Sequence, residues 1–93
     1  MSWFSVCIKF VSEVEGAVFS EVLYEDRVLI VEAQDEADAR EKGAALGSAE
    51  THHYRNEEGQ SVTWRYDKVV DVQDLFASEL EDGMEVYSRL NWE

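Results

Sequence analysis

The stretch Ser2–Phe10, "SWFSVCIKF", decides how the rest of the chain is read. From Phe4 onward it alternates, with Phe4, Val6, Ile8 and Phe10 on one side and Ser5, Cys7 and Lys9 on the other. Successive strand side chains point to opposite faces, so a period of two specifies a half-buried β-strand. Such a strand needs neighbours to complete its hydrogen bonds and a layer to cover its apolar face.

Neighbours are available on both sides in sequence. After a polar loop around Ser12–Gly16, "AVFSEVLY" (17–24) is weakly strand-like. "EDR" (25–27) reads as a turn leading into "VLIVEA" (28–33). Val28–Val31 is apolar on both faces, the pattern expected of a central strand. Beyond the middle of the chain, "ETHHYRN" (50–56) and "QSVTWRYDKVVDV" (60–72) are joined by a short glycine-containing connection, Asn56–Gly59, which predicts a hairpin. Val62, Trp64 and Tyr66 alternate with Thr63 and Arg65, so the large side chains face the core. Near Lys68 the alternation falters into "VVDV", the mark of a bulge or of a strand crossing between environments. "MEVYSRLNW" (84–92) reads as a final strand, with Met84, Val86, Leu90 and Trp92 on one side and Glu85, Tyr87 and Arg89 on the other.

The covering layer is "QDEADAREKGAALGSAE" (34–50). Asp35 is placed to cap a helix whose first turn carries Glu36 and Asp38, where the helix dipole favours negative charge. Ala39, Gly43 and Leu46 share one narrow face, so this helix must lie close to a sheet or pack weakly. Gly47 is a stop signal. The order is then β-β-α-β-β-β: an α+β fold, an antiparallel sheet of four to five strands with one helix packed on one face, forming a single domain over residues 1–93.

Composition narrows the classes of function. One cysteine, Cys7, forms no internal disulfide and fits a reducing compartment. The first residues lack the basic and apolar regions of a signal peptide, and no apolar run reaches the roughly 20 residues that span a bilayer, so a cytoplasmic protein is expected. The 21 acids against 8 bases give a net charge of −13. That charge repels phosphate backbones and anionic membranes, and the Lys and Arg residues are scattered singly, so neither nucleic acid nor membrane is an expected partner.

Chemistry-bearing residues are few. His52 and His53 are adjacent and point to opposite sides of a strand, without the further ligands that a zinc site requires. Cys7 could pair with a histidine as a nucleophile, yet a mid-strand thiol between Val6 and Ile8 ordinarily serves as inert filler. No phosphate loop, dinucleotide fingerprint, nucleophile elbow or zinc-protease motif occurs, and "DVQDLFASELEDG" (71–83) lacks the ligand order of a calcium loop. No catalytic residue, metal or cofactor is assigned. Trp3, Trp64 and Trp92 are first of all core or cross-strand residues. Trp92, near the end of the chain, is the one best placed to anchor an interface.

The distribution of charge says more than its total. Residues 57–93 hold 10 acids and 3 bases, whereas residues 1–33 hold 6 and 2. Between Val69 and Ser88 stand Asp71, Asp74, Glu79, Glu81, Asp82 and Glu85 with no Lys or Arg among them. They lie in or beside a long loop, and long loops are uncommon without a function. The expected binding surface is therefore these six carboxylates, for long-range attraction, with Tyr87 and Trp92 as anchors.

"SWFSVCIKF", "VLIVEAQDEADAREKGAALG", "SVTWRYDKVVDV" and "ELEDGMEVYSRL" together resemble a family of small bacterial proteins of unknown function. Its members open on W-[FY]-x-V and close near E-[LV]-x-D-G-x-E-V-Y-S-R. The resemblance implies a bacterial cytosolic α+β domain and carries over no catalytic residue. By analogy of size and charge alone, the leading expectation is an immunity-type inhibitor that binds a basic toxin, such as a nuclease domain, and blocks its active site. The alternatives are a structural or regulatory homodimer pairing an exposed strand edge, and a small enzyme using Cys7, His52 or His53.

Overall fold

The computed structural model describes residues 1–16 and 23–89. Within them are β1 (Ser2–Val14), β2 (Tyr24–Ala33), α1 (Glu36–Ser48), β3 (His52–Arg55) and β4 (Ser61–Asp74). The strands form one antiparallel sheet in the order β2-β1-β4-β3. The alternating stretch of β1 sits in the middle of it, paired with β2 on one edge and β4 on the other.

The apolar face predicted for β1 is the core. Phe4, Val6, Ile8 and Phe10 are buried with Val31, Ala33 and Ala39, and Leu29, Trp64, Tyr66, Val69 and Val72 pack around them. Val6, Ile8 and Phe10 are wholly withdrawn from solvent, and each such side chain contributes roughly 1.5–3 kcal/mol of burial. Helix α1 covers this face. Asp35 caps it, accepting from the Asp38 N–H at 2.8 Å. Its inner stripe is Ala39, Gly43 and Gly47, whereas Leu46, expected inward, is exposed. The reason is proximity. A Cβ on Gly43 would meet Val6 Cγ1 at 2.4 Å, and one on Gly47 would meet Tyr66 Cδ2 at 2.7 Å. Gly47 is therefore a packing residue rather than a stop, and the helix runs on to Ser48.

The expected bulge is present twice. The β1–β4 register shifts between Cys7 and Ile8 and again between Lys9 and Phe10, opposite Val70 and Asp67. Bulges of this kind bend a strand and increase its twist. The hairpin turn is held by Asn56, whose Oδ1 accepts from the N–H groups of Glu58 (3.1 Å) and Gln60 (2.9 Å), with Gly59 at φ 78°.

Three further expectations are corrected. Glu25, Asp26 and Arg27 belong to β2 rather than to a turn, because Arg27 is well provided for within a strand. Its guanidinium lies over the Phe10 ring, 4.3 Å from the centroid, and pairs with Glu25 and Glu50. Second, β2 is an edge strand: Val28 and Ile30 keep 42% and 40% exposure on the face away from the helix. Third, "MEVYSR" adds no fifth strand; Met84–Arg89 forms no ladder. This segment lies on a face of the sheet instead, where Gln73 and Asp26 hold its far end. Residues 17–22 of the weakly strand-like stretch, and Leu90 and Trp92, fall outside the described residues.

Candidate functional site

The segment that follows β4 carries most of the expected binding residues. Its first feature is a break in the ladder. Leu75 N–H donates to Trp3 O at 3.0 Å, but Trp3 N–H reaches past the opposite residue to Ala77 O at 2.8 Å. Phe76 is squeezed out between them with φ at 54°, a left-handed conformation that a bulky residue rarely adopts. Asp74 holds it there: its Oδ1 accepts from the Phe76 N–H at 2.8 Å, the side-chain-to-backbone bond two residues on that Asp forms at turns. The ring is left 89% exposed.

A tight turn follows. Met84 N–H donates to Glu81 O at 3.2 Å, and Gly83 supplies φ 81°. Glu79, Leu80, Glu81, Asp82 and Glu85 all lie exposed around it. Among the described residues, none of these carboxylates has a cationic partner.

Beyond the turn the chain crosses the sheet on the side opposite the helix. Tyr87 lies beside Cys7. The Ser88 carbonyl accepts from Gln73 Nε2 at 3.0 Å, and Arg89 pairs with Asp26 at 3.7 Å. This strap explains why Ser5 and Cys7, on the face expected to be wet, are only 1% exposed. Burial pushes the Cys7 thiol above its ordinary pKa, with Asp26 and Asp71 adding to the effect and Tyr87 and Arg89 opposing it.

The six expected carboxylates therefore divide by role. Asp71 stands opposite Cys7, partly buried, its oxygens accepting from the Val72 N–H at 2.9 Å and Gln73 Nε2 at 3.2 Å. Asp74 fixes the Phe76 kink. Glu79, Glu81, Asp82 and Glu85 remain free to meet a partner. Tyr87 is half-buried as part of the strap. Phe76 and Leu80 were missed by sequence reasoning. The signal available for Phe76 was the loss of strand alternation at "DLFA" directly after an aspartate.

The other candidates lie apart. His53 Nδ1 is 2.9 Å from Thr63 Oγ1, and His52 stacks on Tyr54 with ring centroids 6.3 Å apart. Through the strand pairings, His53 stands level with Glu13 on β1, six positions or about 20 Å from Cys7 at the rise of a strand. Trp3 and Trp64 are half-buried in the sheet. Among the described residues there is no pocket and no cluster of three or more His, Cys, Asp or Glu side chains that could hold a metal. Among the described residues, no helix is long and apolar enough to cross a membrane.

Comparison with curated proteins and with solved structures gives no match. Residues 3–88, from the first tryptophan through the turn at Gly83 and most of the strap, match a domain of unknown function, and the chain belongs to that family, DUF4288.

Proposed function

We propose that this chain is a protein-binding module of the immunity type, which docks onto a basic bacterial toxin domain and covers its active site. The observation that carries the reading is the surface at 76–85. It combines two exposed apolar side chains, Phe76 and Leu80, with four carboxylates that lack cationic partners among the described residues. Interfaces draw most of their affinity from a few apolar or aromatic anchors, while surrounding charges set the rate of encounter. A nuclease domain fits the charge best, because a site that holds phosphate must be cationic and an acidic surface can occupy it. The strain at Phe76 favours the same reading. Such strain persists where the surroundings enforce it and clusters at functional positions, and here it turns an aromatic ring toward solvent.

The test uses the partner captured from the native host by the immobilised chain at low salt. Glu81→Lys with Asp82→Lys should slow association at least tenfold and flatten its dependence on ionic strength. Phe76→Asn should mainly speed dissociation while leaving the fold as stable or slightly more so, since Asn tolerates the left-handed region. Capture of no basic protein, or unchanged kinetics in both variants, overturns the reading.

A further inference from the structure

Among the described residues, no strand pairs with the outer edge of β2. Ser12 N–H donates to Leu23 O across the β1–β2 ladder at 3.0 Å. Along an antiparallel pair the backbone groups alternate in direction. The N–H and C=O groups of Glu25, Arg27, Leu29 and Val31 therefore face β1, and those of Tyr24, Asp26, Val28, Ile30 and Glu32 face outward. The outward set also carries the exposed apolar side chains Tyr24, Val28 and Ile30 on the face away from the helix. Natural edges are usually blunted by lysine, proline or a bulge. Here Lys42 Nζ donates to Glu32 O at 2.6 Å at the end of the strand, and the charges of Asp26 and Arg27 are already paired within the chain. Among the described residues, no strand pairs with the outward backbone groups of Asp26, Val28 and Ile30.

We infer that this edge pairs antiparallel with β2 of a second copy, about a twofold axis through Val28, making one continuous sheet across the dimer. Charge selects both the occupant and the register. With Val28 opposite Val28 of the second copy, Asp26 faces Ile30, Tyr24 faces Glu32, Glu25 faces Val31 and Arg27 faces Leu29. No like charges are opposed, and Val28 and Ile30 of both copies gather into one apolar cluster. Sliding one step either way sets Arg27 against Arg27, or Asp26 against Glu32, and like charges directly opposite are destabilising. Of these three registers, only the one centred on Val28 opposes no like charges. None of the strand's residues belongs to the segment at 76–85, so the two surfaces are separate.

The test is a cysteine scan on the full chain, in which Cys7 is the only native cysteine and is buried. In the inferred register two residues 28 stand about 5.5 Å apart at Cα, inside the range a disulfide bridges. Two residues 30 stand about 13 Å apart. Val28→Cys should give a covalent dimer under mild oxidation and Ile30→Cys should not. Val28→Lys should sediment as a monomer at concentrations where the parent chain is dimeric, with an unchanged far-ultraviolet circular dichroism spectrum. Because each copy carries −13, added salt should strengthen this association, whereas it weakens binding to a basic partner. A parent chain that stays monomeric to several hundred micromolar at about 0.5 M salt, or equal crosslinking at residues 28 and 30, overturns the inference without touching the reading of the 76–85 surface.

Discussion

At the scale of single residues, the structure depends most on where side chains are missing. Gly43 lies directly over Val6, which has no solvent to retreat into. Alanine there would gain up to about 1 kcal/mol of helix propensity, but overpacking a full core costs about 1–3 kcal/mol. At 2.4 Å between the new Cβ and Val6 Cγ1, overpacking wins. Gly43→Ala should therefore lower stability in urea titration by about 1–2 kcal/mol; a stabilised variant would show that the helix can lift off the sheet at little cost. Asp74 illustrates the opposite case, a side chain whose charge invites a binding role and whose oxygen instead fixes the turn of the next residues. The sequence shows that an acid is present there. It does not show whether its oxygens point at a partner or at their own backbone.

At the scale of elements, the strap Met84–Arg89 replaces the strand that its alternation suggests. It shields the second face of β1 and buries a thiol that would otherwise be wet. The consequence can be measured through linkage. Burial raises the folded pKa of Cys7 above its ordinary value of 9.0. The folded chain then keeps the thiol proton to higher pH than the unfolded chain does. This contribution to stability is complete below about pH 9 and is lost as pH rises from there through the folded pKa. Compared with Cys7→Ala, the parent chain should lose stability more steeply between about pH 9 and 11 in chemical denaturation. Parallel curves would mean that the strap opens freely.

At the scale of the whole molecule, flatness and charge go together. The Cα extents are 47 × 35 × 24 Å and the radius of gyration is 16.1 Å, above the about 12 Å of a compact domain of this length. A four-stranded sheet under one thin helix leaves much surface for partners and no depth for a pocket. The six ion pairs among the described residues are all at the surface, where each contributes about 1 kcal/mol or less. Against them stands the repulsion of a net −13. Salt screens both, and the repulsion is the larger. Raising sodium chloride from about 20 to about 300 mM shortens the screening length from roughly 20 to roughly 6 Å and should raise the melting temperature by a few degrees. A fall would show that the ion pairs, Arg27 with Glu25 and Glu50 above all, dominate.

The local signals of this sequence were enough for its layers. Alternation in β1 and around Trp64, the Asp35 cap and the Asn56–Gly59 turn each rest on neighbours in the chain, and each stands in the structure. What lay beyond them was decided by competition for places in space. Whether "VLIV" is central or at an edge depends on which strands fill the flanks of β1. Whether "MEVYSR" pairs or crosses depends on whether an open edge or the face carrying Gln73 and Asp26 holds it better. The sequence by itself determined an acidic α+β domain with one dry sheet face; only the tertiary structure divided the acids between internal bonds and open surface and turned Phe76 outward. The physical reason is that periodicity records which side of an element is buried, while register, edges and the path of an unladdered segment follow from contacts among residues far apart in the chain.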